Sequence, residues 1–151
     1  MPDPFSTAVG QFVSCSKTVG ESDVYLFAGI TGDLAANHVD EAAMAKTPYG
    51  RRIAHGALLV GYMSRASTMI QDKCPELMAD YFPVSLGYDR VRFLAAVLIG
   101  DTITVSYRIT SGDPAKLRTV ASVEVRNQDG ALCAVATHIM RWIGRNSGPM
   151  R

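Results

Sequence analysis

Two residues that can move protons, Asp33 and His38, lie five positions apart in a segment without helical or strand-like periodicity. A carboxylate beside an imidazole can transfer protons to and from oxygen near neutral pH, which is general acid–base chemistry. The spacing alone is weak evidence. Asp33 could equally serve as a turn residue after Gly32, and His38 as a hydrogen-bond partner of the nearby backbone.

His55 and Gly56 stand directly before a long apolar run that predicts a helix. Backbone N–H groups at a helix N-terminus carry partial positive charge, and a glycine lets a ligand approach closely, so Gly56 could stabilise an oxyanion. It could instead only ease the start of the helix. Ser64 lies two turns into the run, where a serine hydroxyl most often bonds back to a carbonyl of the preceding turn.

Hydrophobic periodicity predicts the helices that would position these residues. Ser22 is expected to cap a first helix that ends at Gly32, and Asp40 to cap a short second helix over 41–46. The run over 57–71 is apolar around most of its circumference, which predicts a long buried helix.

The remaining segments predict strands. Residues 11–19 are strand-like, and period-two alternation indicates four more strands over 84–97, 101–110, 116–127 and 131–143, with a strong hairpin signal at Asp129–Gly130. One strand, then helices, then four strands indicates an α+β fold in one domain over 1–151, with a curled antiparallel sheet wrapped around the long helix. Its exposed edge strand and helix end would be covered by a second copy, so we expect at least a dimer.

Composition excludes several classes of function. Fifteen basic and fourteen acidic residues give a net charge of +1 without a block of like charges, so we expect neither a nucleic-acid nor a membrane partner. The start of the sequence lacks an export signal, and the three cysteines are far apart, as free thiols in a reducing compartment would be. We therefore expect a cytoplasmic protein that binds a small molecule or another copy of itself.

Four segments in order, 27–43, 50–59, 88–93 and 99–101, together resemble the signature of the (R)-specific enoyl-CoA hydratases, also called MaoC-like dehydratases, which have the hot-dog fold. The resemblance covers about residues 20–110, and Asp33 and His38 match the hydration motif residue by residue. It implies that both residues activate a water that adds to C3 of a trans-2-enoyl-CoA thioester. It further implies that the Gly56 N–H stabilises the thioester oxygen, with Ser64 in support.

The sequence departs from the family pattern within the motif. The family commonly has Asp-x-Asn-Pro-x-His, whereas Ala35 and Ala36 occupy the Asn and Pro positions here, and an asparagine occurs instead at Asn37. Since the family asparagine helps to hold the catalytic water, its loss could lower the rate, shift the substrate range, or be offset by Asn37.

The resemblance also implies where the substrate binds. The acyl chain would lie in a tunnel lined by the long helix and the partner subunit, and we expect the substrate to contact His55, Leu58, Leu59, Tyr62 and Met63. Two of these side chains are large, which favours a short acyl chain. No metal or redox cofactor is expected, because coenzyme A is part of the substrate.

Two other functions remain open. Acyl-CoA thioesterases of the same fold place a carboxylate on the long helix, and the absence of any acidic residue over 56–71 weighs against that activity. A non-catalytic acyl-CoA-binding subunit could arise by decay of the motif at Ala35 and Ala36.

Overall fold

Five strands and six α-helices make up residues 3–148, the part of the chain that this computed structural model describes. The helices are α1 Pro4–Ala8, α2 Glu21–Thr31, α3 Ala36–Val39, α4 Glu41–Met44, α5 Gly56–Met69 and α6 Pro75–Asp80, with a 3₁₀ turn over Ile70–Lys73. The strands are β1 Phe12–Thr18, β2 Tyr81–Phe93, β3 Thr102–Asp113, β4 Arg118–Arg126 and β5 Leu132–Gly144. Over residues 3–148, no helix is both long and apolar enough to cross a membrane.

The strands form one antiparallel sheet in the order β1-β3-β4-β5-β2. Alternate residues of β4 point into the core, as the period of two requires. They face the same core as the buried side of α5, which carries Leu59, Met63 and Ala66. A single antiparallel sheet packed on one long helix is the expected α+β hot-dog architecture.

The hairpin between β4 and β5 confirms the turn predicted at Asp129–Gly130. The Asn127 N–H donates to the Ala131 carbonyl at 3.1 Å, and the Asn127 side-chain oxygen accepts from the Ala131 N–H at 2.9 Å. Gly130 adopts a φ of 80°, which a residue with a side chain rarely tolerates. The turn residues therefore fix the register between β4 and β5.

The first long helix begins earlier than predicted. Gly20, not Ser22, is the N-cap of α2, because the Asp23 carboxylate reaches back and accepts from the Gly20 N–H at 2.8 Å. Lys17 also donates to this carboxylate at 2.8 Å, so the pKa of Asp23 is lowered despite its partial burial. The end of α2 at Gly32 agrees with the prediction, and Asp40 caps α4 as expected.

Three short helices and the exposure of α5 differ from the sequence prediction. α1, α3 and α6 were not predicted, because four to six residues give too few turns for a periodic pattern. The predicted burial of α5 around its circumference is wrong for the single chain, in which Ala57, Gly61, Ser64, Arg65 and Thr68 are exposed. One face of α5 therefore remains open to a ligand or to another chain.

A fully buried histidine, His138 on β5, links three strands. Its Nδ1 lies 2.6 Å from the Tyr107 hydroxyl on β3, and its Nε2 lies 2.9 Å from the Ser85 hydroxyl on β2. The ring stacks on Tyr88 with centroids 4.4 Å apart. Burial lowers the pKa of His138 from 6.5 to about 4, because the charged imidazolium would lose its hydration there.

This lowered pKa predicts a specific loss of stability in acid. The folded state favours the neutral form of His138. The contribution of this histidine to the free energy of unfolding is therefore fully present above about pH 6.5 and is lost as the pH falls toward 4. We expect His138→Gln, which does not titrate, to be less stable than the wild type at pH 8. Between pH 8 and pH 4 this deficit should shrink by roughly 3 kcal/mol of unfolding free energy.

Thermal unfolding midpoints of both proteins, measured from pH 8 to pH 4, provide the test. Tyr107→Phe is the matched control, since it removes a hydrogen bond from the same network but leaves His138 titratable. That variant should keep the wild-type pH slope. Parallel curves for the wild type and His138→Gln would contradict the prediction.

Candidate active site

Two segments of the chain, 33–39 and 52–55, lie side by side and are joined by hydrogen bonds. The Ile53 N–H donates to the Asn37 carbonyl at 3.0 Å, and Nδ1 of His38 lies 2.8 Å from the Ile53 carbonyl. Nε2 of His55 lies 3.0 Å from the Asp33 carbonyl. The irregular segment that carries Asp33 and His38 is therefore fixed by the residues just before α5.

These hydrogen bonds determine which ring nitrogens carry protons. A backbone carbonyl can only accept, so His38 donates from Nδ1–H and His55 donates from Nε2–H. The neutral His38 ring then keeps its lone pair on Nε2, which can accept a proton. A side chain with this tautomer can act as a general base.

The two imidazole rings stack closely in the interior. Their centroids are 3.7 Å apart with an interplanar angle of 25°, and the Phe27 ring lies 4.8 Å from His55. His38 is 7% exposed and His55 only 1% exposed. The orientation of the His38 ring is therefore set by packing as well as by its hydrogen bond.

The Asp33 carboxylate completes the cluster. One carboxylate oxygen accepts from the Ala35 N–H at 3.3 Å, and the other lies 4.0 Å from Nε2 of His55. Asp33, His38 and His55 each contribute one side-chain oxygen or nitrogen atom to the cluster, and these three atoms lie within 4.8 Å of one another. Because the Asp33 side chain is half exposed, the pair predicted from the sequence is brought together where a water or a ligand can reach it.

The cluster contains the residue types of a metal site but not its geometry. Two imidazoles and a carboxylate are ligands that Zn²⁺ accepts, with the metal about 2.0–2.2 Å from each and in the plane of each ring. Rings stacked 3.7 Å apart at 25° cannot both point a free nitrogen at one such ion. The arrangement therefore favours proton transfer over metal binding.

A cavity of about 340 Å³ opens beside His38. Its walls come from the motif segment, from the first turns of α5 and from the chain that follows β2. It is lined by Asn37, His38, Tyr49, Ile53, Ala54, Gly56, Ala57, Leu59 and residues 93–97. Of the residues predicted from the sequence, four lie on this cavity: His38, Asn37, Gly56 and Leu59.

The first turn of α5 presents free backbone donors at the cavity. The side chain of His55, the N-cap residue, does not cap the helix. Within residues 3–148, no carbonyl or side chain accepts a hydrogen bond from the N–H of Gly56 or Ala57. These donors, at the positive end of the helix dipole, can stabilise an anionic oxygen.

Gly56 also has a packing role. A Cβ atom at this position would lie 2.7 Å from two ring atoms of Phe93. Both interpretations of the glycine therefore have structural support, since the absent side chain admits the Phe93 ring and the helix start exposes its N–H.

Most of the expected acyl-chain contacts are not on this cavity. Met63 is fully buried in the core, and Leu58 and Tyr62 pack against the same core. Burial, together with the nearby Asp23 carboxylate, raises the pKa of Tyr62 to about 12. Successive helix positions face different directions, so only Leu59 meets the cavity, and the expectation of a short acyl chain loses its basis.

Two other predicted site residues, His55 and Ser64, do not line this cavity. His55 is 1% exposed, and its assignment as a substrate-binding residue stays a prediction. Ser64 is exposed but does not line the cavity, because it lies about 12 Å farther along the helix axis than Gly56. Its hydroxyl instead lies near the buried Tyr88 hydroxyl, where it counteracts the rise in pKa that burial causes for Tyr88.

Two structural features were missed from the sequence. Residues 93–97 form one wall of the cavity. Phe93 ends the family-like segment 88–93, and this was the one sequence feature that could have indicated the wall. Arg52 forms ion pairs with Glu21 and Glu41 and donates to the His38 carbonyl at 3.4 Å. It thereby ties α2 and α4 to the segment that carries the histidine.

Comparison with known proteins gives consistent results. Residues 5–130 match the family model of the MaoC like domain. An (R)-specific enoyl-CoA hydratase of Rhodospirillum rubrum is 39% identical over 107 residues, which cover 71% of this chain and 69% of that protein. The 3-hydroxyacyl-thioester dehydratase Z of Mycobacterium tuberculosis is 29% identical over 145 residues, 91% of this chain and 93% of that protein.

A solved structure shares the fold. The (R)-hydratase from A. caviae involved in PHA biosynthesis superimposes with a TM-score of 0.76 at 27% identity, covering 88% of this chain and 95% of that chain.

The contact between Gly56 and Phe93 predicts a non-additive pair of substitutions. Gly56→Ala alone should lower the free energy of unfolding by about 1–3 kcal/mol, because the new methyl group displaces the ring. In a Phe93→Ala background the same change should be neutral or stabilising, since alanine favours the helix more than glycine does. Urea unfolding of the four proteins measures the coupling, and additive effects would rule the contact out.

Proposed function

Since this chain belongs to the MaoC-like domain family, we propose that it is an (R)-specific enoyl-CoA hydratase, or 3-hydroxyacyl-CoA dehydratase, that uses Asp33 and His38 as its acid–base pair. The chain is an enzyme of the hydro-lyase class, in agreement with its named relatives. The more specific proposal rests on one observation: the Asp33 carboxylate approaches His38, and His38 lines the same cavity as Gly56.

In the proposed reaction, the Asp33 carboxylate and Nε2 of His38 hold and deprotonate one water. The oxygen of that water attacks C3 of a trans-2-enoyl thioester, and a proton is delivered to C2 on the same face. Negative charge develops on the thioester oxygen, where the Gly56 N–H donates to it. One such donor is worth roughly 3 kcal/mol of transition-state stabilisation.

Asn37 is proposed to take over part of the role of the missing family asparagine. It lines the cavity next to His38, and its backbone carbonyl is held by the Ile53 N–H. Its amide can therefore hold the water from an adjacent position. No metal or redox cofactor enters this mechanism, and coenzyme A arrives with the substrate.

Exposed apolar side chains support a homodimer as the proposed assembly. The edge strand β2 exposes Phe82, Val84 and Leu86, and α2 exposes Leu26 and Ile30. An uncovered edge strand with such residues readily pairs with another chain. We propose that a second copy covers the exposed edge of β2 and completes an acyl tunnel along the open face of α5, in a cytoplasmic enzyme of fatty acid metabolism.

The proposed activity predicts the outcome of two substitutions. Asp33→Asn and His38→Ala should each lower the rate of crotonyl-CoA hydration by at least about 100-fold, as expected for loss of general acid–base catalysis. Asp33→Asn should leave the unfolding midpoint nearly unchanged, because Asp33 lies on an exposed segment. His38→Ala should lower the midpoint but still fold, because it removes a buried ring that stacks on His55 and donates to the Ile53 carbonyl.

Enoyl absorbance and free thiol should be followed together in that assay. Loss of absorbance without thiol release indicates hydration, thiol release indicates a thioesterase, and neither signal indicates a non-catalytic binding subunit. Asp129→Asn, in the distant β4–β5 turn, is the matched control for the aspartate substitution and should keep full activity. Near-normal turnover by Asp33→Asn or His38→Ala would refute the proposed pair.

The proposed assembly predicts a particle twice the mass of the chain. Multi-angle light scattering at micromolar concentration should report at least a dimer of the 16.3 kDa chain. Replacing Val84 by Lys on the exposed edge should shift the population toward monomers, since a charge there would be buried without a partner. A wild-type protein that remains at the monomer mass would exclude this assembly.

A further inference from the structure

We propose that His55 is the positioning residue of the site, which places both Asp33 and His38 without touching the substrate. This inference rests on the proposed hydration by that pair. His55 is 1% exposed and does not line the cavity. It nevertheless contacts both predicted proton-transfer residues and directly precedes Gly56.

The first contact anchors the backbone of Asp33. Asp33 lies in a stretch, residues 32–35, that belongs to no helix or strand. The Nε2–H of His55 donates to its carbonyl at 3.0 Å, and the same nitrogen lies 4.0 Å from the carboxylate. The other hydrogen bonds of Asp33 are local, from its N–H to the Thr31 hydroxyl and from the Ala35 N–H to its carboxylate. The bond from His55 is therefore the contact that joins Asp33 to the start of α5 and limits where its half-exposed carboxylate can reach.

The second contact sets the plane of the His38 ring. Stacking at 3.7 Å and 25° fixes this plane, and the hydrogen bond from Nδ1 to the Ile53 carbonyl then sets the direction of Nε2 within it. The Nδ1 of His55 is buried without a hydrogen-bond partner among residues 3–148, in agreement with a ring whose one hydrogen bond is donated from Nε2–H to Asp33.

Two substitutions separate these contacts. His55→Phe keeps an aromatic ring against His38 but removes the donor to Asp33. His55→Gln places an amide N–H near the position of Nε2 and so keeps the donor without the ring. Because misplacing a reacting group by 1 Å can cost on the order of 100-fold in rate, the phenylalanine variant tests whether the hydrogen bond positions Asp33.

We expect His55→Phe to lower kcat for crotonyl-CoA by roughly 10- to 100-fold with KM changed by less than about threefold. His55→Gln, which keeps the donor but lacks the ring, should lose less activity than His55→Phe, and the loss that remains measures what stacking contributes to the position of His38. A purely structural role would instead reduce the amount of folded protein without this split between kcat and KM. His138→Gln, the same change at a buried histidine outside the site, is the matched control and should keep wild-type kcat at pH 8.

The proton positions can be read without any substrate. The chain has three histidines, so two-bond ¹H–¹⁵N spectra can assign each ring. At pH 8 the wild type should show the proton of His55 on Nε2 and that of His38 on Nδ1. This measurement remains decisive if the phenylalanine variant fails to fold.

The inference is overturned by wild-type kcat in His55→Phe, by equal losses in both His55 variants, or by a His55 proton on Nδ1. Failure of the proposed function looks different. In that case the wild type itself would not hydrate crotonyl-CoA, whereas the histidine tautomers would still report whether His55 holds the Asp33 carbonyl.

Discussion

Residues 32–35 belong to no helix or strand. Local hydrogen bonds, such as that from the Gly32 N–H to the Ala28 carbonyl at 2.8 Å, join them to α2 and α3, and the residues before α5 hold Asp33 against the start of that helix. Hydrogen bonds run in both directions between the two segments. The Ile53 N–H donates to the Asn37 carbonyl, the His38 ring donates back to the Ile53 carbonyl, and His55 donates to the Asp33 carbonyl. Because each bond ends on a backbone carbonyl, the protonated ring nitrogens are fixed together with the backbone path. The geometry available for acid–base chemistry follows from this contact.

The same contact connects the acid–base pair to the proposed oxyanion donor. His55 and Gly56 are consecutive, so a displacement of the first turn of α5 moves the support of Asp33 and the free N–H together. The sheet limits such a displacement, because α5 is anchored by Leu59 and Met63 in the core and Phe93 at the end of β2 rests against Gly56. The core therefore supports the proposed proton-transfer pair and the proposed oxyanion donor through the same helix start.

Periodicity predicted the parts of the fold that have enough repeats to show it. The positions of β3, β4, β5 and α5 agree with the prediction to within a few residues, because alternate or helical burial extends over nine or more positions. Periodicity could not predict the direction in which individual side chains point. The sequence could place Leu58, Leu59, Tyr62 and Met63 on one helix, but only the packing against the sheet determines that Leu59 alone faces the cavity. For the same reason the sequence could not show that the His55 ring turns inward, since tertiary contacts set its direction.

Ala35 and Ala36, which depart from the family motif, lie at the start of α3, and the structure shows what this departure changes. Ala35 is the N-cap of this helix and Ala36 its first residue, positions at which asparagine and proline are favoured for capping and for their fixed φ. An alanine N-cap leaves the first turn without a side-chain acceptor, a loss of about 1 kcal/mol. The hydrogen bonds that hold Asn37 and His38 to Ile53 do not involve either alanine side chain. The replacement therefore removes stability at the start of a short helix while the contacts that orient His38 remain, so the motif keeps its proton-transfer geometry without its usual cap.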